Sequence, residues 1–320
     1  MEGLTDVHMR HILTQMAGSA GFDWCVTEFI RITSQLLPER VFYQYCPELL
    51  NGGNTAAGTP VHVQLLGSEA QIIAENAQRA AELGAPAIDL NFGCPAKSVN
   101  QHRGGAVLLE EPELVHAIVA AVRKAVPSSV PVSAKMRLGF NDRSRMIDNA
   151  LAIDSAGANW LTVHARTKAD GYRPPAHWYE LATIRQHVAL PVIANGDIDS
   201  VETAAQCQQD ANCDDLMIGR GAVIRPQLVR ELRGDRQPLT WAQLVHWQLL
   251  FLQDMRQAQS MPGLMTGPVK WSEHGAIGRY KQWLAMLAQG WPQAKALFEV
   301  VKKEKSCERM QALVAQSADA

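Results

Sequence analysis

The chain has 320 residues, 47% of them hydrophobic and 19% charged, with a formal net charge of −2. That balance belongs to a folded globular protein and excludes a disordered or fibrous one, and no apolar run reaches the roughly 18 residues that a membrane span needs. From residue 240 onward nine Lys/Arg face six Asp/Glu, against 21 and 26 before it, so a mildly basic tail follows an acidic body; a polyanionic partner and ordinary solvated helix faces are equally good explanations of that asymmetry.

The chain opens with Met1-Glu2-Gly3 and runs at once into a helical pattern carried by Val7, Ile12, Leu13 and Met16. Met1 to Asp6 is acidic and lacks a long apolar core, so the opening residues are not expected to form a secretory signal. Short apolar runs at residues 24–30, 61–66, 87–91, 132–136, 160–164, 192–195 and 216–219 predict strands, and amphipathic stretches at 69–83, 112–126, 143–156 and 201–211 predict helices. Ser68, Glu111-Pro112 and Ser200 are helix starters. Near-continuous apolar strands separated by helices predict a buried parallel sheet. The strand ends choose between an open sheet and a barrel. Gln64, Asn91 to Pro95, Lys135 and Arg137, His164 and Arg166, Asn195-Gly196-Asp197 and Gly219-Arg220-Gly221 all close a run. Such ends converge on one mouth in a (β/α)₈ TIM barrel and spread along a line in an open sheet. The expectation is therefore an α/β TIM barrel over residues 1–235. Only seven strands can be counted, so the first barrel strand is expected to be missing before Met1, leaving an open and weakened barrel edge. Residues 234–238 read as a linker. Thr240 then caps a helix, and the period of 270–287, 292–301 and 306–314 predicts a helical domain over residues 240–320.

The six cysteines, at 25, 46, 94, 207, 213 and 307, form no Cys-x-x-Cys pair. This points to a reducing, cytoplasmic setting without a metal site or disulfide framework. Cys94 lies in a Gly/Pro turn beyond a strand end, where a thiol can serve as proton donor or nucleophile; with no protease-like Asp/His arrangement beside it, proton donor is preferred. Arg103-Gly104-Gly105-Ala106 reads as a flexible lid. Lys135 ends an otherwise apolar strand and calls for an electron-rich partner. Arg137 repeats a basic residue two positions on, and His164 with Arg166 repeats the spacing on the next strand. The glycines at 196, 219 and 221, with Arg220, suit a phosphate-binding pair of loops.

At Asp89-Leu90-Asn91-Phe92-Gly93-Cys94-Pro95 the sequence resembles the tRNA-dihydrouridine synthases, most of all their bacterial C-type branch. Further carriers are Cys25 to Arg31, Val63-Gln64-Leu65-Leu66-Gly67, Lys135-Met136-Arg137, Val163-His164-Ala165-Arg166-Thr167, Pro191 to Ile198 and Ile218-Gly219-Arg220-Gly221. Each is weak alone; in this order, across essentially the whole chain, they are highly specific.

The resemblance implies FMN as cofactor, NADPH as reductant, hydride transfer to C6 of uracil and protonation of C5 by Cys94. It implies flavin contacts at Met1, Glu2, Gln64, Lys135, His164, Asn195, Gly196, Asp197, Gly219 and Arg220. Met1-Glu2-Gly3 is all that remains of the family's first-strand flavin motif, which predicts weakened FMN retention. Asn91 is expected to touch the target base, and Arg31, Arg137, Arg166, Arg279, Lys281 and Gln282 the tRNA, with Trp283 in a core. The C-type branch implies uridine 16 of the D-loop, and the protein is expected to act as a monomer. Two rivals stand beside this reading. An FMN-dependent free-pyrimidine oxidoreductase, like dihydroorotate dehydrogenase, would share the barrel without needing the basic helical domain. A tRNA-binding protein without catalysis is disfavoured by the presence of Cys94, Lys135 and His164.

Overall fold

The computed structural model describes residues 3–257 and 272–319. Met1 and Glu2, two of the expected flavin contacts, lie outside them. The strands are β1 (Cys25–Val26), β2 (Ile30–Arg31), β3 (Val61–Leu66), β4 (Ile88–Phe92), β5 (Val132–Arg137), β6 (Trp160–His164), β7 (Val192–Asn195) and β8 (Leu216–Met217). Every pairing is parallel, β3 to β8 follow one another in space, and β1 and β2 both pair with β3. Among the described residues no ladder joins β8 to β1. The sheet is thus a curled half-barrel with helices outside it.

The curl is visible in contacts between strands that are not neighbours. Trp24 and Trp160 flank β1 and β6, four ladder steps apart. A flat sheet would separate them by roughly 19 Å at about 4.8 Å per strand, yet their rings lie 5.4 Å apart. Alternation then sorts each strand into two faces. Ile88, Leu90 and Phe92 of β4 pack outward under the helices, while Asp89 and Asn91 look into the half-barrel.

The predicted strand at 24–30 is broken in two. Val26 pairs with His62 but Ile30 pairs with Leu65, four steps against three. One extra residue is accommodated, as in a β-bulge. The Thr27 hydroxyl accepts the Gln64 N–H at 3.0 Å, so that ladder donor keeps a partner.

Two hydrophobic cores result. One lies between the sheet and its outer helices, from Ile30 to Cys213. The other joins the C-terminal helices Trp241–Gln257, Glu273–Leu287, Pro292–Val301 and Cys307–Gln316 to the first helix, Val7–Ala17, through Met9, Ile12, Leu13 and Met16. The first helix therefore packs with the helical layer, and on its other side Arg10 and Thr14 bond Glu48 and Thr55 of the barrel part. No described helix is long and apolar enough to cross a membrane.

Arg279 locks this junction. Its Nε donates to Asp6 at 2.6 Å, and its other nitrogens to the Leu4 carbonyl and, at 3.2 Å, to Gln282. Asp6 also caps the first helix by accepting the Met9 N–H at 2.8 Å. Arg279 is buried, so the expected tRNA contact does not hold: the cation is spent inside the protein. Lys281 is half-buried and donates to the Lys302 and Glu304 carbonyls at 3.0 and 2.7 Å. Gln282 alone of the three is exposed. Breaking a buried pair by removing one partner costs about 3–5 kcal/mol. Arg279→Ala should lower the unfolding free energy by about that amount, seen as a lower urea midpoint, with the RNA affinity of the folded protein unchanged; a weaker RNA affinity at unchanged stability would reverse the assignment.

Candidate active site

The inner face of the half-barrel carries polar residues in layers. Its floor is aromatic: Trp24 stacks on His62 at 5.2 Å, and Trp160 tilts against both. Burial pushes the His62 imidazole down to about 4, so it stays neutral there. Above it lies Asp89, buried, accepting from Gln64 Nε2 at 2.6 Å and from Ser133 Oγ at 2.7 Å. Burial raises this carboxyl, while the Ser133 and Gln64 hydrogen bonds and nearby Lys135 oppose the rise.

The rim holds the expected reactive side chains. The register sets Asn91 beside Lys135 and His164 beside Asn195. Lys135 Nζ spans β6 to reach Asn195 Oδ1 at 3.1 Å, and Asn195 Nδ2 donates to the Met217 carbonyl at 2.7 Å. Burial, aided by Arg137 and resisted by Asp89, pushes the Lys135 ammonium down to about 8. His164 is pushed further, to about 2, first by burial and then by Lys135, Arg137, Arg166 and Arg220; it is a neutral imidazole at physiological pH. Gly196 has φ +125°, and a Cβ there would sit 3.1 Å from the His164 ring, so glycine keeps the β7 loop close to the histidine.

Cys94 follows β4 in a turn held from several sides. Asn91 Oδ1 accepts the Gly93 and Cys94 N–H groups at 2.9 and 3.0 Å. The Cys94 carbonyl accepts from Asn100 Nδ2 at 2.9 Å and from the Ala106 N–H at 3.1 Å. Gly105, at φ +68°, passes so close that a Cβ would meet the Cys94 carbonyl oxygen at 2.8 Å. The segment around Gly104 and Gly105 is therefore a buried support under the cysteine and not a lid. Cys94 packs with Leu66, Val99 and Phe29. Phe29 and Val99 also line a neighbouring cavity of about 300 Å³ with Glu28, Arg31, Tyr45 and Ser98, which keeps Arg31 open to a large ligand.

Arg137 and Arg166 differ from expectation. Both are buried. Arg137 donates to the carbonyls of Gly93 at 2.9 Å and of Thr167 and Gly171 at 3.0 Å, tying the Cys94 turn to the loop after β6. Arg166 donates to the Arg173 carbonyl at 2.7 Å and pairs with Asp197. Neither side chain is open to RNA; a guanidinium at a strand end found backbone oxygens before it found solvent. Asp197, at φ +52°, also accepts the Ala176 N–H at 3.1 Å, through the same Oδ2 that pairs with Arg166. Arg220 stays exposed, its guanidinium 4.7 Å from the Tyr172 ring centroid. None of the six cysteines forms a disulfide, and among the described residues no three His, Cys, Asp or Glu gather to hold a metal.

Sequence reasoning gave Asp89 no role and passed over Tyr172. Asp89 had a signal: a carboxylate inside an apolar strand, two residues before Asn91 and so on its face. Tyr172, with Arg137 and Arg220 against its ring and His164 at 6.0 Å, had none, because its place depends on the path of a loop.

Comparison with known proteins adds identity to this geometry. The family described as dihydrouridine synthase (Dus) matches residues 1–312. The tRNA-dihydrouridine(16) synthase of Aquipseudomonas alcaligenes is 48% identical over 99% of this chain and 98% of its own length. That of Pseudomonas putida is 48% identical over 99% and 95%, and that of Neisseria meningitidis 41% identical over 99% and 92%. Among solved structures, a 2-naphthoyl-CoA reductase complex superposes with a TM-score of 0.54 at 12% identity, covering 72% of this chain and 47% of that one. The old yellow enzyme homologue of Zymomonas mobilis gives 0.50 at 14%, covering 74% and 88%. These two show a shared fold. With the match running from the half-barrel through the Cys94 turn into the C-terminal helices, the chain belongs to the dihydrouridine synthase family.

Proposed function

We propose that the protein reduces uridine 16 in the D-loop of transfer RNA to 5,6-dihydrouridine, with FMN as cofactor and NADPH as reductant. The observation that carries this reading is the convergence of Cys94, Lys135, His164 and Asn195 on one rim of one curled sheet. The relatives at 41–48% identity, named for that reaction at that position, supply the substrate.

The donor set fits a flavin. Lys135 is a half-buried cation whose hydrogen bond goes to a neutral amide, and among the described residues it forms no ion pair, so an electron-rich ring edge beside it would relieve its desolvation. Gln64, Lys135, His164, Asn195, Gly196, Gly219 and Arg220 would hold FMN, with Lys135 and Arg220 balancing its negative charge. Reduced by NADPH, the bound flavin supplies a hydride for C6 of the uracil.

The protein's own residues do the rest. Cys94 delivers its thiol proton to C5 from a turn fixed at both N–H and carbonyl. Asn91 has spent its oxygen on the turn and one amide hydrogen on Gln64; its second hydrogen is left for the base. The uracil must be flipped out of its stack to reach this rim. Arg31, Lys281 and Gln282 remain as candidate tRNA contacts, and binding to the phosphates weakens as salt rises.

Expression in cells that lack every dihydrouridine synthase, followed by mass spectrometry of the tRNA, tests the reading: dihydrouridine should return at position 16, and its absence would end the proposal. Cys94→Ala should keep the yellow flavin and lose about a hundredfold or more in rate, the scale of a missing proton donor; a normal rate would exclude that role.

A second outcome follows from Lys135. Its ammonium, lowered to about 8 by burial, is charged below that pH and neutral above it. FMN affinity of the cofactor-free protein, read by fluorescence quenching, should therefore be highest below pH 8 and fall as the pH rises through it. Lys135→Met should bind about tenfold more weakly at pH 7, as expected for loss of a charge-assisted hydrogen bond, and should show no such step. A wild-type affinity flat from pH 7 to 9.5 would contradict this.

A further inference from the structure

We propose that Asp89 is the positioning residue that fixes the turn from which Cys94 delivers its proton; this rests on the proton-donor reading of Cys94. A single hydrogen-bonded chain joins the two residues. The Gly93 and Cys94 N–H groups donate to Asn91 Oδ1 at 2.9 and 3.0 Å, Asn91 Nδ2 donates to Gln64 Oε1 at 2.7 Å, and Gln64 Nε2 donates to Asp89 Oδ2 at 2.6 Å. Ser133 Oγ closes the far end on Asp89 Oδ1 at 2.7 Å.

The direction of the chain is set at its ends. Backbone N–H groups only donate, so they turn the oxygen of Asn91 toward the Cys94 turn and its NH₂ toward Gln64. Gln64 must then present its oxygen to Asn91 and its NH₂ to residue 89. An acceptor is required there, and a carboxylate is the strongest one. With an apolar side chain at 89, the Gln64 NH₂ loses its acceptor and nothing holds the amide in one orientation. A rotated Gln64 would offer hydrogens to the Asn91 NH₂, and the oxygen that holds the turn would no longer be fixed. Asp89 and Gln64 are both buried, so water does not readily substitute.

Burial alone would give Asp89 a structural part, so the test separates the two. Wild type, Asp89→Asn, Asp89→Leu and Cys94→Ala holoenzymes would be compared in kcat and KM on unmodified tRNA, flavin absorbance, and peptide-resolved alkylation of residue 94 by iodoacetamide. Asparagine can face its oxygen to Gln64 and its NH₂ to the Ser133 oxygen, so Asp89→Asn should stay within about threefold of the wild-type kcat. Asp89→Leu should lose about tenfold or more in kcat, as misplaced reacting groups do, with the KM for tRNA within about twofold and an altered rate of Cys94 alkylation. Wild-type kcat in Asp89→Leu beside an inactive Cys94→Ala would overturn the relay and leave the proton-donor reading standing. A fully active Cys94→Ala would overturn the proton-donor reading itself. If Asp89→Leu does not fold or loses its flavin, Asp89→Asn decides alone: with flavin bound, a kcat more than about threefold below wild type refutes the proposal, and a smaller change supports it.

Discussion

Burying positive charge without stranding it is the constraint on which the mouth of this half-barrel depends. Lys135, Arg137 and Arg166 come from two neighbouring strands and all lie at or beneath the rim. Each desolvated cation needs oxygens, and the chain supplies them from loops: Gly93, Thr167, Gly171 and Arg173 give carbonyls, Asp197 a carboxylate and Asn195 an amide. The loops are ordered by the same bonds. Arg137 ties the cysteine turn to the loop after β6, and Arg166 ties that loop to the one after β7. Burial, reinforced by the crowding of positive charge, keeps His164 neutral, so it can donate or accept a hydrogen bond without adding to the repulsion.

The sheet and the ring of reactive ends were legible because both follow from local pattern. Apolar runs gave the seven strand positions, and the residues closing Gln64, Asn91, Lys135, His164 and Asn195 share one rim because parallel strands end together. What was not legible is how side chains spend their hydrogen bonds. Arg279 and its partner Asp6 are 273 positions apart, and Arg137 reaches oxygens 30 to 44 positions away; residue type alone suggests RNA for such arginines, whereas burial decides otherwise. The glycines at 104 and 105 suggested freedom, yet Gly105 is pressed against Cys94 and Gly104 against Leu66 and Val99.

The two cores make the catalytic and helical parts one mechanical unit. The first helix sits against Trp241–Gln257, with His8 Nδ1 and Asp254 Oδ2 2.7 Å apart. Arg10 of the same helix forms a buried pair with Glu48 at 2.9 Å, on the sheet side. Buried polar pairs of this kind specify one arrangement of layers where apolar packing alone tolerates several. A large RNA bridging rim and helices would therefore meet a preset spacing between them.

The extra residue between β1 and β2 governs which way Arg31 looks. Parallel partners share a face, so Val26 looks inward with His62, and strict alternation would send Ile30 inward and Arg31 out among the helices. The added step reverses this: Ile30 joins Leu65 in the outer core, and Arg31 lies with Leu66 on the inner side, beside the cysteine. Regular pairing of all of 27–29 would exchange an isoleucine and an arginine between oil and water, so the bulge is as much a requirement of this short segment as the identity of its side chains.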